Sequence, residues 1–324
     1  MSRRTRRRTV ITLGVVAAAA VAARSPAGRR LLRGREPIDA MPPVPSAALP
    51  PATVIALPGR GEVFFRDTGL HGTALPVILL HGWTATADVN FLAAYGPLSL
   101  DRRVIALDHR GHGRGMRSEQ PFTLEDCADD AAALLEVLGI PQVIALGYSM
   151  GGPIAMLLAQ RHPDLVAGLV MQATALEWSG QWRERARWRS MALMELGIRL
   201  GTGESIVARV LREVTHHRPE LLPLRPWLAS EFRRGDPAAI TQAGRALASY
   251  DARAWAESLG LPAVSVVTSR DRMVPPHKQR ALAAALRADV IELDADHDAP
   301  LMEVDAYGEA TRKAVAAVAA AADG

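Results

Sequence analysis

The chain has 324 residues, 49% hydrophobic and 22% charged, a balance that can build a sizeable core and excludes a disordered chain. Its formal charge of +4 invites a nucleic-acid partner, but residues 1–39 hold ten arginines against only Glu36 and Asp39. The remainder carries 28 basic and 32 acidic residues, a net of −4, which argues against a nucleic-acid-binding face on the folded body.

Residues 1–35 read as a targeting segment. An arginine-rich start, Met1 to Arg8, runs into an uncharged apolar stretch of 14 residues, Val10 to Ala23. As a helix this stretch spans about 21 Å, short of a hydrocarbon core of about 30 Å. An export signal fits better than a transmembrane span. The pairs Arg3-Arg4 and Arg7-Arg8 suggest a twin-arginine signal, a weak cue where arginine is so abundant. Arg24 disfavours clean cleavage and keeps a short membrane anchor in view, with a cytoplasmic extension as the alternative. Residues 36–53 form a proline-rich linker. Seven prolines between positions 36 and 58 forbid a helix and remove donors from a sheet, so the folded domain is expected from residue 54.

From there, short β-rich runs alternate with Ala/Leu-rich stretches at helical spacing. Strands are predicted at 62–66, 77–80, 103–107, 143–146, 168–172, 263–268 and 290–293. Several are continuous apolar runs, suited to strands covered on both faces. Helices are predicted at 124–138, 150–161, 277–286 and 301–321. Thr123 and Asp126 make a near capping box for the first, and Gly139 closes it. Cys127, the single cysteine, falls in this helix as a small buried hydrophobe. One cysteine allows neither an intramolecular disulfide nor a thiolate metal cluster. The alternation predicts an α/β fold with a doubly wound, mostly parallel sheet, its core at 54–174 and 259–324. Residues 175–258 break the pattern: they offer no strand and hold five of the six tryptophans. They read as a helical cap over the sheet, either shaping an apolar pocket or simply docked by its aromatics.

The residues able to do chemistry sit where predicted strands end. Gly147-Tyr148-Ser149-Met150-Gly151 joins a strand to a helix. A serine hydroxyl is a poor nucleophile at neutral pH and must be exposed beside a base. A sharp strand-to-helix turn does this, and flanking glycines leave room for the strained backbone. Ser149 is the candidate nucleophile. His81-Gly82-Trp83 directly follows the 77–80 strand, so the backbone N–H groups of Trp83 and Met150 are the natural oxyanion donors; a plain strand-end turn is the alternative. Among nine histidines, His297 lies just past the last predicted strand, and Asp271 lies just past the one before it. Carboxyl ends of strands converge on one crevice in such a sheet, and the order Ser, Asp, His is the expected one. His297 is therefore the candidate base and Asp271 its orienting acid, with Glu177 as a reserve acid. Asp294, Asp296 and Asp298 read as solvated turn residues rather than a metal loop. His216 and His217 read as surface or packing residues.

Together, Leu80-His81-Gly82-Trp83, Asp108-His109-Arg110-Gly111-His112-Gly113, Gly147 to Gly152, Asp271 and His297 resemble the α/β-hydrolase superfamily over residues 54–321. The resemblance implies an α/β-hydrolase fold and a serine hydrolase cleaving a carboxylic ester or related acyl bond through an acyl-serine intermediate. The expected partner is a small, apolar ester, with no metal, organic cofactor or nucleic acid required. Perhydrolases and carbon–carbon bond hydrolases with the same triad stay open as alternatives, as does a non-catalytic, membrane-attached binding protein. Relatives that use an aspartate nucleophile are disfavoured by Ser149. In the family the 108–113 segment shapes a turn, which gives His109 and His112 a structural role.

Overall fold

The structure, a computed structural model, describes residues 49–69, 73–180, 184, 185, 188 and 219–322. The expected targeting segment, linker residues 36–48, Trp182 and the His216-His217 pair lie outside the described residues.

Strands form on the β-branched and apolar runs: β1 (Ala52–Leu57), β2 (Gly61–Asp67), β3 (Val77–Leu80), β4 (Val104–Leu107), β5 (Val143–Tyr148), β6 (Val166–Gln172), β7 (Ala263–Thr268) and β8 (Asp289–Leu293). They make one sheet in the order β1-β2-β4-β3-β5-β6-β7-β8. β2 pairs antiparallel with both β1 and β4, and every later pairing is parallel. Every side chain of β3, β4 and β5 is buried, as strands covered on both faces require.

The covering helices are α1 (Ala87–Leu98), α2 (Leu124–Val137) and α3 (Gly151–Arg161), then, beyond the cap, α6 (Pro276–Leu286), α7 (Ala299–Met302) and α8 (Val304–Ala322). α2, α3 and α6 share one apolar core with one face of the sheet, and α1 and α8 share a second core with the other. The chain leaves β3 toward β4 on one side and returns to place β5 on the other, so the strand order reverses between β3 and β5. Loops after these two strands diverge and leave a crevice at their carboxyl ends. The cap carries α4 (Arg225–Arg234) and α5 (Pro237–Ser249) between two short 3-10 turns, Pro219–Leu224 and Ala256–Leu259. A β-bridge between Glu177 and Asp251 ties its entry to its exit.

Three local expectations need correction. β1 begins at Ala52, inside the stretch read as linker, because Pro51 and Pro58 flank Ala52–Leu57 without entering it. As an edge strand it needs only one ladder, which β2 supplies. α1 was not foreseen. Finally, the 301–321 helix is two helices, broken at Glu303, whose backbone is non-helical (φ −120°, ψ 50°). Among the described residues no helix is long and apolar enough to cross a membrane.

Candidate active site

Ser149 occupies the turn between β5 and α3 with φ at 54°, in the left-handed region that only glycine visits freely. The neighbouring glycines make the turn possible. A Cβ on Gly151 would lie 1.8 Å from the Leu80 carbonyl oxygen, and one on Gly147 would lie 2.2 Å from the Gly151 oxygen. The Ser149 N–H donates to the Gln172 carbonyl at 2.9 Å, and the Thr174 hydroxyl donates to the Ser149 carbonyl at 2.7 Å. The end of β6 and the residues just after it thereby clamp the strained residue.

The structure brings the three separated candidates into one hydrogen-bonded row. His297 Nε2 is 3.1 Å from Ser149 Oγ, and His297 Nδ1 is 2.8 Å from Asp271 Oδ2. Asp271 is 4% exposed, and both of its carboxyl oxygens are hydrogen-bonded by the protein. Oδ1 accepts the N–H groups of Met273 and Val274, both at 2.8 Å. Oδ2 also accepts the Thr268 hydroxyl at 2.8 Å and the Gln279 amide at 3.1 Å. Gln279 in turn donates to the Val274 carbonyl at 2.7 Å, fixing the loop that carries the acid. The His297 loop is held by Asp296, which accepts the His297 and Arg272 N–H groups, and by the Tyr148 hydroxyl, which donates to the His297 carbonyl at 2.6 Å. Gln279 and Tyr148 escaped sequence reasoning; no local pattern marks a glutamine that reaches back to an acid eight positions earlier.

Gly82 follows β3 and approaches Ser149 closely, its virtual Cβ 3.1 Å from Ser149 Cβ. The Trp83 and Met150 N–H groups take part in no turn or loop hydrogen bond among the described residues. His81, fully buried, accepts the His109 N–H at Nε2 (2.9 Å), and its Nδ1 lies 2.8 Å from the Gly82 carbonyl. Burial pulls its pKa down to about 4, so the neutral ring donates from Nδ1 and accepts at Nε2. His109 packs tilted against it and His112 edge-on, ring centroids 4.2 and 5.5 Å away, and neither approaches Ser149 by hydrogen bond. Burial drives the pKa of His112 to about 3 and that of His109 well below its ordinary value.

Glu177, the reserve acid, is engaged elsewhere. It accepts the N–H groups of Ser179 and Gly180 and pairs with Lys278 at 2.8 Å, which also meets Glu184 at 2.7 Å. Asp294 is exposed and pairs with Arg270, and Asp298 lines the cavity. No group of three His, Cys, Asp or Glu among the described residues is arranged to hold a metal ion. Ser149 and His297 open on a cavity of about 480 Å³, walled by Trp83, Trp178, Trp188 and Phe232 together with Leu247 and Leu301.

Comparison with known proteins agrees with the fold. The family model for the alpha/beta hydrolase fold matches residues 76–303. A pimeloyl-[acyl-carrier protein] methyl ester esterase of Neisseria meningitidis serogroup A is 28% identical over 249 residues, 75% of this chain and 77% of that protein. A non-heme chloroperoxidase of Streptomyces lividans is 40% identical over 114 residues, 34% of this chain and 40% of that one. The crystal structure of an enol-lactonase from Burkholderia xenovorans LB400 superposes with a TM-score of 0.71 at 24% identity, covering 82% of this chain and all of that one. The chain belongs to the α/β-hydrolase family.

Proposed function

We propose that the protein is a serine hydrolase that cleaves carboxylic esters, or related acyl bonds, through an acyl-serine intermediate. The observation that carries this reading is the Ser149–His297–Asp271 row, with contacts of 3.1 and 2.8 Å, opening on an apolar cavity. In the proposed reaction His297 takes the Ser149 proton as Oγ attacks the ester carbonyl, then gives it to the departing alkoxide. Asp271 holds the imidazole in the tautomer that leaves Nε2 free to accept, and it stabilises the imidazolium. The N–H groups of Trp83 and Met150 receive the oxyanion. A water deprotonated by His297 then attacks the acyl carbon, and Ser149 leaves with that proton restored.

The cavity wall of tryptophan, phenylalanine and leucine favours an ester with an apolar acyl or alcohol group. The experiment is labelling with a fluorophosphonate probe alongside turnover of aryl esters graded by chain length. The reading expects one phosphonyl group on Ser149 and no labelling or turnover in Ser149→Ala. An unlabelled wild type, or a variant that still hydrolyses the esters, contradicts it.

The similarity to a chloroperoxidase favours testing a second reading, perhydrolysis. Hydrogen peroxide supplied with a carboxylic acid would then give peracid faster than the same panel of esters is hydrolysed. Export or membrane attachment through residues 1–35 is part of the proposal, on the sequence pattern alone. Cell fractionation with and without that segment tests it.

A further inference from the structure

The segment from Gly82 to Asn90 leaves β3, passes the nucleophile and enters α1, and it is tied to both the core and the cap. We infer that the cap positions the Trp83 amide, holding the Trp83 side chain on α5 and the adjoining Thr86 on α4, so that cap seating and oxyanion binding are one event. The inference rests on the reading of the Trp83 N–H as an oxyanion donor.

The first tie is the Trp83 indole, whose Nε1–H donates to the Ile240 carbonyl of α5 at 2.7 Å. One turn further along the helix, Gly244 leaves a notch for the ring: a Cβ there would lie 2.8 Å from Trp83 Cζ2. The second tie is Thr86, which caps α1 by accepting the Val89 N–H and donates its hydroxyl to Glu231 Oε2 of α4 at 2.9 Å. Glu231 is 2% exposed and also pairs with Arg114 at 2.7 Å, while the Arg114 N–H donates to Asp108.

The core grips the same segment from beneath. Asn90 Oδ1 accepts the Gly82 N–H at 2.7 Å, and Asp108 Oδ1 accepts the Ala87 N–H at 2.9 Å. With core partners at Gly82, Ala87 and Asn90, the stretch between Gly82 and Thr86 takes its upper contacts from two cap helices. Thr84, in the middle of it, has φ at 64° and is turned sharply. An oxyanion donor must stay within about 0.5 Å of its productive position, and a displacement of about 1 Å can cost about 10²-fold. Two side-chain hydrogen bonds to the cap, one buried and one half-buried, are the means of holding it there.

The test uses the full chain and four substitutions that leave every backbone N–H in place. Trp83→Phe keeps an aromatic ring without its N–H; Gly244→Ala pushes the ring out of its notch while the N–H remains. Thr86→Val removes the hydroxyl, and Thr86→Ser keeps it. Readouts are kcat and KM on a 4-nitrophenyl ester, and the Ki of an arylboronic acid, which forms a tetrahedral adduct on Ser149. The first three variants should each lose about tenfold in kcat, with KM within about twofold and Ki raised in step, while Thr86→Ser stays near wild type. A cap-lining role alone predicts changes in KM with kcat and Ki unmoved, and that result overturns the inference. Should Trp83→Phe fail to fold, Gly244→Ala asks the same question with a substitution that improves helix propensity. If Ser149→Ala retains turnover, or the boronic acid does not inhibit wild type, it is the Ser149 reading that falls rather than the coupling of cap to amide.

Discussion

The carboxyl edge of the sheet and the cap face each other across one cavity, and they are built on different terms. The edge holds Ser149, Asp271 and His297 on loops that each follow a strand, buried in β5 and β7 and largely exposed at the sheet margin in β8, with every loop braced by several short hydrogen bonds. Among the described residues, the cap meets the cavity mainly through apolar side chains and reaches the Ser149 neighbourhood by hydrogen bonds to Trp83 and Thr86. Strand-end geometry fixes atoms to fractions of an ångström, as a proton relay needs. Apolar walls set size and polarity, which tolerate adjustment. The difference teaches that changes at the edge, or at the Trp83 and Thr86 ties that reach it, should move rate, and changes in the cap's apolar wall should move substrate preference.

The largest expected effect belongs to the edge. Asp271→Asn keeps the shape but lets the imidazole take the wrong tautomer; kcat on aryl esters should fall about 10³- to 10⁴-fold with little change in KM. A second change at the edge acts on stability. Gly151→Ala drives a Cβ into the Leu80 carbonyl, and urea unfolding should show a loss of about 1–3 kcal/mol or more. In the cap, Phe232→Ala enlarges the cavity, and the preferred acyl length should shift by about tenfold in kcat/KM ratio while the best substrate keeps a near wild-type kcat. A Phe232→Ala variant that lowers kcat uniformly for all chain lengths would blur the division.

The smallest effect concerns the buried histidines beneath the edge. His81, His109 and His112 have pKa values lowered chiefly by burial, to about 4 for His81 and about 3 for His112. In the unfolded chain these rings protonate near pH 6.5, so between that value and about 4 the unfolded state binds more protons. Their contribution to stability is complete above pH 6.5 and is lost as pH falls. Neither ring nitrogen of His109 has a partner among the described residues. His109→Leu should therefore flatten the dependence of the urea midpoint on pH by about one proton, about 1.4 kcal/mol per pH unit, over that acid range. An unchanged slope would mean the ring titrates freely in the fold.

Much of the edge was legible in the sequence because its signals are local: apolar runs give buried strands, and glycines around Ser149 mark a strained turn. The predicted 77–80 and 263–268 strands match β3 and β7, and the others differ from the observed strands by one to two residues at an end. The support behind the site was not legible, since Gln279 and Tyr148 act across the fold. α1 hid for another reason. Ala87, Val89, Phe91, Ala94, Tyr95 and Leu98 are buried together with Asp88 and Asn90, so no polar face gave a helical period, and Pro97 argued against a helix. The cap was recognisable only as a tryptophan-rich stretch without strands. Its docking on Trp83 and Thr86 depends on single polar contacts, which leave no pattern in a sequence.

The account rests on Ser149 carrying the acyl group. Rapid quenching of the protein with a 4-nitrophenyl ester, followed by peptide mass mapping, measures this directly. The account predicts a burst of nitrophenol and an acyl mass increment on the peptide containing Ser149, absent in Ser149→Ala. An acyl group on another residue, or steady turnover that survives the substitution, would contradict it.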